Sequence, residues 1–209
     1  MLRVPEAEFF CAGGDVGLIH DSSALAIVGG RGREIHLMEL FEMRPEKGQP
    51  LKLSRVMAGF AEVLKRYGLH SFMADGWVRE PAREHSDEHG VTIEAAPEGN
   101  AGKVAVYLAT RDAMREGRLH LGVHLRLRAQ LRAMQSKPMS GGRMQITAPR
   151  RSGHGDLVSA LVLAVWQAAS GASSGIADLE DVGPLGNIWR STSDDDPEEH
   201  PYRVLGRGR

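Results

Sequence analysis

Three aspartates stand in this sequence where an acid could do chemistry. Asp15 follows Phe9-Phe10-Cys11-Ala12-Gly13-Gly14, Asp75 closes Ser71-Phe72-Met73-Ala74, and Asp156 opens the apolar run Leu157-Val158-Ser159-Ala160-Leu161-Val162-Leu163-Ala164. Each is expected at the end of a strand or the start of a helix, where a rigid element holds it. Carboxylates gathered in this way bind hard divalent cations. Two such ions, roughly 3.5–4 Å apart, hydrolyse phosphodiesters: one activates a water and the other stabilises the leaving oxygen. Singly, each acid has a plainer reading. Asp15 between glycines and Asp75 before Gly76 suit turns, and Asp156 suits a helix N-terminus with or without metal. Jointly, three acids at three element ends favour the ligand reading.

Other residues could serve the same centre. Asp21, six residues beyond Asp15, is either a further site acid or the cap of the next element. His154 either assists proton transfer or hydrogen-bonds within its loop. Lys137, Arg143, Arg150 and Arg151 flank a predicted hairpin next to Asp156, and Lys103 begins a nearby helix. Cations so placed neutralise phosphates without reading bases. Arg126, Arg128 and Arg132 read as a solvated helix face, and His20, His36 and His124 as surface residues. No two histidines show cysteine-supported zinc spacing.

The elements that must position these groups follow from apolar spacing. Residues 8–13, 23–29 and 34–43 read as three consecutive strands, the last two joined by the hairpin connection Gly29-Gly30-Arg31-Gly32-Arg33. A helix runs from Leu53 to Tyr67 with Gly68 as its C-terminal cap, and a right-handed crossover makes the next strand, residues 70–75, parallel to the first. A short helix over 81–89 and a strand over 91–96 follow. Helices are expected at about 103–116 and 124–134, a hairpin within 136–149, and a nearly all-apolar, hence buried, helix over 156–169. This order predicts an α/β, ribonuclease-H-like fold: a mixed central sheet of three antiparallel strands and then parallel strands, flanked by helices, with an extra hairpin near the acids. It sets Asp15 and Asp75 on neighbouring strands. Residues 1–169 form the domain, and 170–209 read as a polar, loosely ordered tail carrying the acidic run Asp194-Asp195-Asp196-Pro197-Glu198-Glu199.

Composition narrows the partners. The 209 residues suit one domain with one substantial core. A net charge of -1 excludes a globally basic nucleic-acid binder, but basic residues dominate from Lys103 to Arg151, so a polyanion would meet a local patch. With aromatics at only 5%, no platform for single strands is expected, and duplex DNA held by its backbone is the better fit. The lone Cys11 implies no disulfide framework and suits a reducing compartment. No apolar run reaches the roughly 20 residues of a membrane span and no signal peptide is apparent, so a soluble intracellular protein is expected.

The motifs together carry a specific likeness. Gly14-Asp15-Val16-Gly17 with Asp21-Ser22-Ser23-Ala24, Asp75-Gly76, the segment from Gly99 to Lys103 ahead of a helix, and His154-Gly155-Asp156-Leu157-Val158-Ser159-Ala160-Leu161 resemble the nuclease domain of a tailed-bacteriophage large terminase, over residues 9–169. The resemblance implies an endonuclease that cuts concatemeric viral duplex DNA during packaging. It further implies Asp15, Asp75 and Asp156 as ligands to two Mg²⁺ or Mn²⁺ ions. A terminase ATPase, a small terminase subunit and a portal protein are the implied partners, in the host cytoplasm. The chain departs from the full-length pattern in lacking a G-x-x-x-x-G-K-[ST] loop, since Gly102-Lys103 is followed by Val104. The ATPase is therefore expected to be a domain removed from this chain or to reside on another. Two other readings stand beside it. One is a DNA- or motor-binding module without cleavage; the other is an actin-like or sugar-kinase-like phosphate-binding fold, which needs a second glycine-rich loop in a duplicated half.

Overall fold

The computed structural model describes residues 7–148 and 155–172. His154, Arg150, Arg151 and the whole tail beyond 172 lie outside the described residues. The elements in order are β1 (Phe9–Asp15), β2 (Ser23–Arg31), β3 (Glu34–Met43), α1 (Leu53–Arg66), β4 (Ser71–Ala74), α2 (Arg79–Glu88), β5 (Thr92–Ala95), α3 (Gly99–Arg115), β6 (Leu119–His120), α4 (Leu125–Ala133), β7 (Gln135–Pro138), β8 (Met144–Thr147) and α5 (Asp156–Ala172). Six strands form one sheet in the order β5-β4-β1-β2-β3-β6. β1, β2 and β3 are antiparallel neighbours, whereas β4 runs parallel to β1 and β5 parallel to β4. This is the mixed, ribonuclease-H-like sheet expected from the sequence, and β7 and β8 form the separate hairpin.

β2 explains why the sheet is covered on both faces. Its residues alternate, with Ala24, Ala26 and Val28 packing on one side and Leu25 and Ile27 on the other, all fully buried. Such a strand belongs in the middle of a three-layer sandwich. One core lies between the sheet and α3, α4 and α5; the other lies under α1 and α2 and centres on Phe60 and Phe72. α5, apolar on nearly every side, occupies the first core almost completely.

The two glycines before Asp15 set how closely the layers approach. A Cβ at Gly13 would lie 2.3 Å from the backbone nitrogen of Ala164 and 2.4 Å from the carbonyl of Ala160. α5 therefore rests directly on the β1 backbone. On the opposite face a Cβ at Gly14 would meet the Phe72 ring at 2.7 Å. The residues that remove side chains in front of Asp15 thus seat α5, and with it Asp156, against the same strand.

Several boundaries differ from the sequence reading. α3 begins at Gly99, so the segment up to Lys103 forms the start of the helix rather than a lead into it. α2 starts at Arg79 after a 3-10 turn over Gly76–Val78, and α5 continues to Ala172, three residues past the expected end. The two-residue β6, which pairs in parallel with β3, was not anticipated.

Candidate active site

Asp15 is the last residue of β1, and Asp75 immediately follows β4. These strands are parallel, with Gly13 opposite Met73. Two residues further along each, the side chains of Asp15 and Asp75 emerge level at the same end of the sheet. Both line a cavity of about 490 Å³ together with Trp77, Lys103, Tyr107 and Ser159. Asp156, the first residue of α5, lies behind this cavity and is only 4% exposed.

The electrostatics tie the three acids together. Burial, then the neighbouring Asp156 carboxylate and, more weakly, that of Asp75, push the Asp15 carboxyl up to about 7, against a hydrogen bond from Ser159 and the charge of Lys103. Like charges this close resist simultaneous ionisation. Tyr107 sits over the same centre: burial, against its contact with Ser159, and then the charges of Asp15 and Asp75 push its phenol up to about 12. Its hydroxyl lies 3.3 Å from the Ser159 hydroxyl, which links the α3 and α5 walls.

Asp156 is held by a network that the sequence reading missed. Its Oδ2 accepts the backbone N–H of Ser22 at 3.0 Å and the Ser22 hydroxyl at 2.5 Å. The same hydroxyl lies 2.7 Å from Glu42 Oε1, which also receives Arg126 at 2.8 Å, while Arg44 reaches Glu42 Oε2 at 2.9 Å. Burial opposes ionisation of Glu42, but hydrogen bonds from Arg44 and Ser22 and the charge of Arg126 hold its carboxyl below the usual range. From α4, Gln130 Oε1 accepts the N–H of Leu157 at 3.0 Å, fixing the first turn of α5. Arg126 is therefore not a residue of a solvated face, as its sequence position suggested; Glu42 draws it into the packing behind Asp156. Arg128 and Arg132 of the same helix are exposed as expected.

The remaining candidates divide. Lys103 joins the acids in the cavity. Asp21 does not line it and packs back over Gly17, whose added Cβ would come within 2.6 Å of Asp21 Cβ. Lys137 on β7 and Arg143 just before β8 are exposed. Their hairpin is pinned to the start of α3 by Asn100 Nδ2, which donates to the Met144 carbonyl at 2.6 Å. His124 is exposed but also structural, because its Nδ1 accepts the Leu127 N–H and caps α4. His36 stacks on His120, with ring centroids 4.3 Å apart, on the β3–β6 edge. The half-buried Cys11 thiol is pushed up to about 11 by burial and by Glu94, which leaves it unreactive.

Ser159 had a signal available: it stands three residues beyond Asp156 and so shares its helix face. Ser22 stands in the Asp21-Ser22-Ser23-Ala24 motif, which does not reveal its contact with Asp156, and Glu42 and Tyr107 had no signal beyond their polarity. Among the described residues no three histidine, cysteine or acidic side chains already close into a metal cluster. The donors nevertheless suit a divalent ion. They are hard carboxylate oxygens, and a partly enclosed acid faces two further acids with Lys103 as the cation acting on it.

The chain has a ribonuclease-H-like fold with the acids at one end of its sheet. Among solved structures the chain is similar to the large terminase nuclease of thermophilic phage G20c with bound magnesium, at 22% identity and TM-score 0.64, over 76% of this chain and 81% of that one. It is likewise similar to the large terminase nuclease domain of Thermus phage P74-26, at 22% identity and TM-score 0.63, over 76% of this chain and 79% of that one. The match to the large terminase of bacteriophage HK97, at 19% identity and TM-score 0.66, spans 78% of this chain but 40% of that protein. No family model and no curated protein matches the sequence. Among the described residues no helix is long and apolar enough to cross a membrane.

Proposed function

We propose that this chain is a divalent-metal-dependent DNA endonuclease of the large-terminase type, cutting concatemeric viral duplex DNA during genome packaging. The observation that carries the reading is the delivery of Asp15 and Asp75 to one cavity at the end of the sheet, with Asp156 close enough behind to raise the Asp15 carboxyl. The similarity to a terminase nuclease with bound magnesium supports the same assignment.

In this reading Asp15, Asp75 and Asp156 hold two Mg²⁺ or Mn²⁺ ions. Bound there, the ions supply Lewis acidity to the scissile phosphate and lower the pKa of a water. The chain's own groups do the positioning. Ser159 orients Asp15 and Ser22 orients Asp156, while Lys103 offsets charge at the cavity wall. Lys137 and Arg143, with Arg150 and Arg151 from the segment outside the described residues, hold the phosphate backbone. Asp21 and His154 serve as accessory groups, the one a further acid in the loop after β1 and the other a proton carrier. The nuclease extends through the end of α5 at Ala172, and the residues beyond it, polar in composition, are a tail. An ATPase domain or chain, a small terminase subunit and a portal protein are its partners, in the host cytoplasm.

The test is supercoiled plasmid incubated with the full chain. Nicking and linearisation are expected with Mn²⁺ or Mg²⁺ and none with EDTA, and Asp75→Asn is expected to slow cleavage by about 100-fold or more with an unchanged melting temperature. Cutting by Asp75→Asn at the parental rate removes Asp75 from the reaction. Plasmid binding without any cutting by the parental chain favours the binding-module reading instead.

A further inference from the structure

Trp77 is 59% exposed, although it lies in the middle of a 3-10 turn whose next residue, Val78, is buried. The backbone is thus anchored while the largest apolar side chain of the segment is held out into solvent. That ring lines the same cavity as Asp15, Asp75 and Lys103. Being two residues beyond Asp75, its Cα lies within about 7 Å of that of Asp75. The neighbouring Gly76 has nothing within 4 Å of where a Cβ would be, leaving open space beside the ring. Pro97, Glu98, Gly99 and Lys103 line the same cavity, so Trp77 shares it with an apolar ring, a further acid and one cation.

We infer that Trp77 forms a base-stacking subsite at the mouth of the acidic cavity, receiving a nucleobase of the strand to be cut after that base has left the duplex stack. This rests on the nuclease reading and adds the local shape of its substrate. An exposed π-face in the cavity that also holds Lys103 and the acids takes a base in preference to an aliphatic group, because the base stacks while a cation of the same cavity meets its phosphate. Within a duplex the base must first be unstacked, as proteins achieve by wedging or extrusion. The subsite therefore favours sites that open easily. The low aromatic content excluded an extended single-strand platform; one ring at the cut site is a different device.

The experiment uses the full chain with Ca²⁺ in place of Mg²⁺ and short duplexes, either fully paired or carrying a central two-base mismatch. Fluorescence anisotropy reports Kd, and 2-aminopurine in the mismatch reports stacking. Trp77→Ala is expected to weaken binding to the mismatched duplex by about 5- to 100-fold, with a smaller effect on the paired one, and to abolish the 2-aminopurine quenching. Trp77→Phe is expected to restore most of both. The dependence of Kd on salt should not change, because no charge is removed. Equal affinity and equal quenching for the parental chain and Trp77→Ala overturn the inference while leaving the nuclease reading intact. Failure of the parental chain to bind any duplex overturns both.

Discussion

At the scale of single residues, Asp15 is the group whose state decides the rest. Its carboxyl titrates near 7 rather than at 3.8, chiefly through burial and then through Asp156. Between about pH 4 and 7 the native cation-free protein retains on Asp15 a proton that the unfolded chain has released, so the contribution of this group to stability is full below about pH 4, declines between 4 and 7 and levels off above. Melting in EDTA should show this decline, and Asp15→Asn should flatten it; an unchanged slope in the variant would place the titration elsewhere. On the proposed reading a divalent ion competes with the same proton. Mn²⁺ affinity measured by calorimetry should rise up to about tenfold per pH unit below 7 and level off above it. Ser22 acts one step further out, through its two hydrogen bonds to Asp156 Oδ2. Ser22→Ala should weaken Mn²⁺ binding about 10- to 100-fold, as loss of an orienting partner does, while Ser22→Thr restores it. Equal Mn²⁺ affinity in Ser22→Ala would show that Asp156 needs no such support.

At the scale of elements, the close seating of α5 on β1 joins the fold to the site. A methyl group at Gly13 would meet backbone atoms of α5, which cannot rotate away as a side-chain tip can. Gly13→Ala should destabilise the protein by about 3 kcal/mol, the upper end of overpacking costs, lowering Tm by roughly 6–12 °C. It should also displace Asp156 from Asp15 and depress cleavage beyond what the lost stability explains. A Tm within 2 °C of the parental value would show that the two elements can separate cheaply. The same elements show how far the sequence could be read. β3, the extent of α1 and the start of α5 at Asp156 were legible, because apolar periodicity and glycine caps agree there. The start of α3 was not, because Gly99 and Gly102 argue against a helix. The fold overrides that preference: a Cβ at Gly102 would lie 2.5 Å from the backbone of Pro97, so the first turn requires a glycine there. β6 was illegible because two residues carry no period. The three acids were visible as element ends, whereas Ser22 and Glu42 were not, since their value lies in contacts across 134 and 20 residues of chain.

At the scale of the whole molecule, the proposed DNA substrate would have to meet a chain of net charge -1 through a few well-placed cations. Many surface arginines are already committed to carboxylates, among them Arg31, Arg44, Arg66 and Arg118. Lys103, Lys137 and Arg143 are exposed on α3 and the hairpin docked to it, and among the described residues none of them forms an ion pair with a carboxylate. Each phosphate neutralised contributes about -0.9 to the slope of log K against log salt. Three contacts give a slope of about -3, and the participation of Arg150 and Arg151 would carry it to about -4.5. Replacing Lys137 and Arg143 together by alanine should therefore flatten the slope by about 2 and weaken binding equally on duplexes of unrelated sequence, because these contacts read no bases. Anisotropy titrations from low to moderate salt, with Ca²⁺ held constant, measure both quantities. A slope that the double substitution leaves untouched would move the DNA path off the hairpin. The acids would then have to be approached from the Trp77 side alone.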